Sequence, residues 1–400
     1  MKGNVADLPL HYGRVPLWLA ERMSSLGGAI VEAIVMEYGV KSLLQKMSDP
    51  CWFQSLGCVL GMDWHSSGVT TAVIGALKRA VNKRSAELGV YICGGRGKYA
   101  LQTPREILGI ADKAGLDGDS LVKSSKLAAK VDNNAIQDGY QIYLHSFILT
   151  NDGDWAVIQQ GMNTTYRMAR RYHWHSPTLG SFTETPHSFV YGINEGLILN
   201  LTAPDAKSTR HALVDLAKEN THKIITEVSK LVMPMHHDVR AQNVNLKRLG
   251  AVLTRAQQQE ANDLESLLLL DGVGSRTIQA LTLVSEVIHG TASRFDDPAR
   301  FSFAHGGKDG YPFPVPTNIY DESIVMLENA LHKAKLRQSD KYLAIKNLSK
   351  VAEQMEKDFI ANDSFDKVVA IEKANARRYG GRTAKRTFTK ENEQNQLALF

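Results

Sequence analysis

Cysteine is scarce in this chain of 400 residues: Cys51, Cys58 and Cys93 are the only three. They form neither a paired framework nor a Cys-x-x-Cys metal site. That excludes a disulfide-stapled scaffold and fits a reducing compartment with buried thiols. Long apolar runs are missing too, since the longest candidate, LGGAIVEAIVM, is broken by Glu32, so no membrane span is expected. The first residues, MKGNVADLPL, have no apolar core of a signal peptide. A cytoplasmic, nucleoid-associated location without membrane contact follows as the expectation. Nucleotide-binding signatures are absent as well. GGRGK at 94–98 ends with Lys98 and has glycine amides suited to a phosphate. It lacks the spacing and the Ser/Thr of a P-loop and is not GxGxxG, which excludes the usual ATPase and Rossmann readings. Neither sign of charge dominates: 47 Lys and Arg against 42 Asp and Glu leave a net charge of +5. Such a balance fits a nucleic-acid partner without requiring one.

Tryptophan is absent after residue 174, and the chain divides there in character. All five tryptophans and all three cysteines lie in its first part. After Pro204 long helical patterns with few aromatics take over. The expected fold is α+β: a mixed α/β domain over 1–204, an all-α domain over 205–372, and a basic disordered tail over 373–400. Within the first domain, Trp18–Tyr38 and Lys41–Met47 read as helices, as does Thr70–Val81. Leu88–Cys93 reads as a buried strand, and Thr103–Glu106 as a helix start. YQIYLHSFILT and WAVIQQGMN alternate around Asn151-Asp152-Gly153-Asp154, the pattern of a hairpin. Tyr166–Trp174, YRMARRYHW, reads as a short helix or basic loop, and Pro177–Leu201 as irregular with short strands. Lys207–Lys230 and Asn243–Leu270 read as helices. Asp296–Tyr320 reads as a long Pro/Gly-rich connection, followed by three closing helices over 321–337, 339–360 and 365–378.

The densest binding signal is Asp263–Gly290. Leu264, Leu267 and Leu268 make one apolar stripe; Ile278, Leu281 and Val284 make another. Between them Gly272-Val273-Gly274 is a tight turn, and Ser275 opens the second helix. This resembles the helix-hairpin-helix motif at 263–290. That resemblance implies that Gly272, Val273, Gly274, Ser275 and Arg276 meet a DNA phosphate through backbone amides and a helix dipole, independently of sequence. The tail carries seven basic and no acidic residues between Lys373 and Lys390, a phosphate-seeking composition. It ends in Gln396-Leu397-Ala398-Leu399-Phe400, which resembles the pentapeptide by which bacterial repair and replication proteins dock on the DNA sliding clamp. The resemblance implies that Leu399 and Phe400 fill an apolar pocket, with Leu397 beside them and Gln396 reaching a polar one.

For chemistry, the candidates are spread over the first domain. Asp63 and His65 share one loop, and Asp138 and His145 stand at and in the first hairpin strand. Together they have the composition of a site for a divalent metal, Mg²⁺ or Mn²⁺. Gln160 would position water or strand, although Gln159 and Gln160 must face opposite sides of a strand. Arg171 and His173 would stabilise phosphate charge, and with Arg170, Tyr172 and Trp174 they would suit a nucleic-acid strand by charge and stacking. Asp7 and His11 repeat the composition near the start. His236-His237-Asp238 has ligand types without spaced partners and reads as a solvated turn.

The strings DLPLHYGRVPLWLAERM, DWHSSGVTT, KVDNNAIQDGY, VIQQGMN, ARRYHW and DPARFSFAHGGKDGYPFPV, in this order, resemble domain-of-unknown-function family 763. The resemblance spans most of residues 1–320 and implies no specific activity. The reading of the residues is a DNA-processing enzyme, a metal-dependent nuclease of repair or replication tethered to the sliding clamp. The alternatives are a non-enzymatic DNA-binding or clamp-associated factor, and an enzyme on a small phosphorylated substrate.

Overall fold

The computed structural model describes residues 8, 15–62, 66–230, 246–300, 317–334 and 338–356. Outside them lie Asp7, His11, Asp63, His65, His236–Asp238, residues 301–316, the last closing helix and the whole tail with Gln396, Leu397, Leu399 and Phe400.

Helix α1 (Leu17–Met47) leads into α2 (Pro50–Val59) and α3 (Gly68–Val81). Gly39, at φ 81°, breaks α1 between the two expected helical pieces. The Asp49 carboxylate caps α2 by accepting from the Cys51 and Trp52 amides at 2.7 and 3.0 Å, with Pro50 pre-set for the first turn. After the short α4 (Ser85–Leu88) come β1 (Val90–Arg96), α5 (Thr103–Ala114) and α6 (Gly118–Lys130). The strands β2 (Ile136–Gln137), β3 (Gln141–Thr150), β4 (Trp155–Asn163), β5 (Met168–His175), β6 (Phe189–Tyr191) and β7 (Leu197–Asn200) follow. Then come α7 (Lys207–Lys218), α8 (Thr221–Lys230), α9 (Leu246–Gln258), α10 (Leu264–Leu269), α11 (Ser275–His289), β8 (Phe295–Asp296), α12 (Thr317–Lys333) and α13 (Gln338–Glu356). The fold is α+β, as expected.

The central sheet has the order β1-β3-β4-β5-β6, all neighbours antiparallel, and β2-β7-β8 form a smaller one. Helices cover both faces of the central sheet. On one face Val90, Ile92, Ile148, Ala156 and Ile158 pack with α1, α2, α3, α12 and α13. On the other, Cys93, Phe147, Leu149, Trp155, Val157 and Trp174 share a buried cluster with residues of α5, α6, α7, α9, α10 and α11. The helices after Pro204 therefore complete the sheet's own core. In α1 one stretch is long and apolar enough to cross a bilayer by length and composition, contrary to the expectation of none. It packs here on α3, through Ile30 and Ile34 in that same core.

One expected element is corrected. MARRYHWH is strand β5, not a helix or basic loop, and seven of its eight residues are buried. A strand covered on both faces has no polar face to alternate with, so the period-two signal vanishes. Its cations are buried because partners on both faces take them.

Candidate functional site

The pleat distributes the expected site residues over two faces. Gln160 pairs with Arg171, and Gln159 with Tyr172. Gln160, Arg171 and His173 therefore lie on the α2–α3 side, while His145 and Gln159 look toward α6 and the π-helical turn Val131–Ala135 that follows it, with Asp138 bound from the same side. Asp63 and His65 lie outside the described residues. Among the described residues no group of three or more His, Cys, Asp or Glu side chains is arranged to hold a metal.

On the α6 side two buried networks meet. In the first, His145 Nε2 lies 2.8 Å from Ser125 Oγ and Nδ1 lies 2.8 Å from Gln159 Oε1. The Gln159 amide nitrogen donates to the Ala128 carbonyl at 3.1 Å and to Asp132 at 2.5 Å. Its oxygen is thus the acceptor, so His145 carries its proton on Nδ1 and accepts from Ser125 at Nε2. Burial holds His145 below the ordinary imidazole range, although Gln159 pulls the other way. Asp132 also accepts from Trp174 Nε1 at 2.9 Å and faces His187 Nε2 at 2.5 Å.

The second network centres on Arg170. Its guanidinium reaches Asp138 at 2.6 Å and Asp297 at 2.7 and 3.0 Å, and donates to the Ile193 carbonyl. One face of it lies 4.5 Å from the Tyr140 ring. Burial alone would lower its pKa, but the two carboxylates raise it. Asp138 accepts from Tyr172 at 2.5 Å and from the Tyr140 amide at 2.9 Å. Burial pushes its carboxyl up, while Arg170 and Tyr172 pull it down. Both oxygens of Asp138 and both nitrogens of His145 are committed to protein partners, so these two do not fit a divalent metal. They belong instead to the polar network that fixes the sheet to its helices.

On the α2–α3 side Gln160 bonds Thr70, Tyr143 and the Ser67 carbonyl, the last at 2.9 Å. Arg171 is fully buried and lies between the rings of Phe53 and Tyr191, at 4.7 and 5.3 Å. It donates to Gln54 at 3.0 Å and to Thr70 at 3.3 Å. Among the described residues it has no carboxylate partner, and burial lowers its pKa to about 10. His173 stands edge-on to Phe53 at 6.0 Å. Burial, then the charge of Arg171, holds it well below the usual imidazole range.

Asp132, Arg170 as an ion-pair centre, His187 and Asp297 belong to these networks without any sequence motif that marks them. The adjacent pair Arg170-Arg171 held one usable signal: on a strand, neighbours go to opposite faces, so two burials and two partner sets were needed. GGRGK is explained by packing. Gly94, at φ 81°, leaves room where a Cβ would come within 2.3 Å of the His145 carbonyl oxygen. Its amide donates to Glu106 at 2.7 Å, and Lys78 bridges Glu106 and the Gly94 carbonyl.

The expected DNA-contacting residues are built differently, at the surface. Asp263 caps α10 in a reciprocal box with Ser266. Gly272, at φ 87°, turns the chain, and Val273 anchors the turn in the core. Three side chains hold the turn's carbonyls: Arg255 on Asp271 at 2.7 Å, Lys130 on Val273 at 2.7 Å and Gln137 on Ser275 at 2.8 Å. The amides of Gly274, Ser275 and Arg276 have no acceptor among the described residues. Gly274 has open space where a Cβ would point, and Arg276 is exposed. Three adjacent donors stand at the positive end of a helix of fifteen residues, with the Arg276 cation and the exposed Asp271 carboxylate beside them.

A three-layer α+β protein with an antiparallel sheet and a surface helical hairpin is the class so defined. The chain belongs to the family described as Protein of unknown function (DUF763), whose pattern matches residues 4–315. No curated protein and no solved structure matches it.

Proposed function

We propose that this protein binds DNA through the sugar–phosphate backbone, with the hairpin Gly272–Arg276 as the gripping element. The carrying observation is the row of amides at Gly274, Ser275 and Arg276 without an acceptor among the described residues, at the start of α11. A phosphate oxygen there would complete those donors and meet the positive end of the helix. Lys130 and Arg255 keep the turn's carbonyls occupied and add positive charge behind it. The contact carries no base information. The basic tail would add affinity, and Gln396–Phe400 would tether the protein to a sliding clamp in repair or replication. The buried polar groups of the sheet serve the scaffold in this reading, which is that of a DNA-binding, clamp-associated factor.

The test is fluorescence anisotropy of the full chain with a labelled duplex at several salt concentrations. Binding should weaken steeply with salt. Gly274→Glu with Arg276→Glu should weaken it at least about tenfold, because two carboxylates would then face the phosphate. Duplex affinity equal to wild type in that variant would reject the hairpin as the grip. Cleavage of the duplex or of a branched substrate with Mg²⁺ or Mn²⁺ would instead favour a metal-dependent nuclease. Loss of clamp capture on Leu399→Ala/Phe400→Ala tests the tether.

A further inference from the structure

The exposed aromatic and basic chemistry that buried β5 does not offer stands at one end of the sheet. The register pairs Arg96 with Leu144, Gln141 with Met162, and Asn163 with Met168. The 3-10 stretch Gly97–Gln102 and the turn 164–167 therefore leave the sheet at the same end. They are offset laterally by two strand spacings, about 10 Å, and along the strands by the three residues from Gln160, level with Arg96 and Leu144, to Asn163, roughly another 10 Å. Tyr99 is 52% exposed, Leu101 84% and Tyr166 63%. Arg96, Lys98, Arg105 and Arg167 are exposed around them. Lys98 lies 5.6 Å from the Tyr99 ring centre, and Arg96 lies 5.7 Å from that of Tyr143. Among the described residues none of these four cations is in an ion pair. The acid beside them in sequence, Glu106, is already taken by Lys78 and the Gly94 amide.

This end of the sheet is also where the hairpin is anchored. Gly139, in the turn between β2 and β3, leaves a Cβ position 3.1 Å from the Asn163 side chain, at the start of the 164–167 turn. Two residues earlier, Gln137 donates to the Ser275 carbonyl. A chain crossing from Tyr99 past Tyr166 would thus run toward the amides of Gly274–Arg276.

We propose that this sheet end is a stacking platform for single-stranded DNA. Unpaired bases lie on the rings of Tyr99 and Tyr166, and Arg96, Lys98, Arg105 and Arg167 meet the phosphates. Large exposed aromatic faces gain most from stacking on unpaired bases, which a duplex keeps inside its own stack. The interleaved cations match a polyanion, and the tyrosines stand apart on separate turns, unlike a contiguous apolar docking patch. The inference rests on the DNA-binding reading for the kind of polymer, and its contacts are independent of the hairpin.

The test uses the full chain, a labelled oligo-dT and a labelled duplex. Tyr99→Ala/Tyr166→Ala should weaken oligo-dT binding about ten- to hundredfold, from the usual worth of one or two stacked bases. Duplex affinity should stay within about twofold. Tyr99→Phe/Tyr166→Phe should keep oligo-dT affinity, since the ring is retained, which separates stacking from a folding defect. Wild-type oligo-dT affinity in the alanine variant overturns the platform while leaving the hairpin untouched. Loss of oligo-dT binding in the alanine variant, with wild-type duplex binding in Gly274→Glu/Arg276→Glu, supports the platform and rejects the hairpin. A wild-type chain that binds neither nucleic acid overturns both.

Discussion

Arg170 and Arg171 are neighbours in sequence, are both fully buried, and are opposites in electrostatics. Arg170 is clamped by Asp138 and Asp297 on one face of the sheet. Arg171, on the other face, is held by neutral groups, Gln54 and Thr70, and by two aromatic rings. The pleat alone separates them. One arginine ties the β5 strand to the segment at Asp297, more than a hundred residues later. The other fills a slot under α2, where its planar cation is stabilised by ring faces.

The two should therefore respond differently to the same replacement. Arg170→Met leaves Asp138 and Asp297 buried without their counter-charge and should cost about 3–5 kcal/mol. Arg171→Met removes a buried cation that has no carboxylate partner among the described residues, and it should stay within about 2 kcal/mol of wild type. Urea unfolding of both variants measures this. An Arg171→Met loss as large as that of Arg170→Met would mean that Arg171's charge is matched by an anion.

Stability should fall on mild acidification. His145 and His173 are both held below the ordinary imidazole range by burial. In the unfolded chain each takes a proton near pH 6.5. Below that pH the unfolded state binds more protons than the folded one, so stability is present above about pH 6.5 and is lost as pH falls. The loss is up to about 1.4 kcal/mol per pH unit for each histidine. Urea midpoints should be level from pH 8 to 7 and decline from pH 6.5 to 5. His173→Phe should make that decline shallower, and an unchanged slope would show that His173 is already charged in the fold.

What the sequence disclosed follows the physics of each element. β3 and β4 were legible because their alternation is bounded by Asn151–Asp154, a turn that admits few alternatives. The break in α1 was legible at Gly39. β5 was not, since a strand buried on both faces and carrying two arginines resembles neither template. The partition of Lys207–Lys230 into α7 and α8 turned on Asn220, whose side chain accepts from the His222 amide at 2.9 Å; no interruption of the apolar pattern marks it. Of the candidate residues, His145 and Gln160 were placed on strands, whereas Arg171 and His173 were expected on a short helix or basic loop and lie on β5. Their partners, such as Asp132 for Gln159 and Asp297 for Arg170, come from elements whose proximity only the fold creates. The turn of the helical hairpin was legible because it is local, but its cap was not: Gly274, not Ser275, stands at the N-cap of α11, and no side chain caps it.

Glycines in GGRGK should divide sharply. Gly94→Ala places a Cβ against the His145 carbonyl, in a backbone conformation that L-residues rarely take. A loss of about 3 kcal/mol or more is expected. Gly97→Ala meets nothing within 4 Å and has φ 58°. Only the left-handed strain of about 1–2 kcal/mol remains there. Thermal or urea unfolding distinguishes them, and equal effects would contradict the packing account of the motif.

Lys130 should act on the hairpin from below. Its ammonium donates to the Val273 carbonyl across a large sequence separation, and α6, which carries it, packs directly on the sheet network through Ser125 and His145. Lys130→Met keeps the aliphatic stem and removes the donor. The global cost should be small, roughly 1 kcal/mol, as for one partly solvated hydrogen bond. The local effect should be larger, because the turn between Leu270 and Ser275 loses one of the three side chains that fix its carbonyls. Amide exchange at Val273–Ile278 should accelerate in the variant while exchange in β3 and β4 stays as in wild type. Duplex affinity should fall several-fold, because a loosened turn no longer presents the Gly274, Ser275 and Arg276 amides together. Unchanged exchange at the hairpin would show that Gln137 and Arg255 suffice to hold it. Faster exchange throughout the sheet would show instead that Lys130 supports the core rather than the turn.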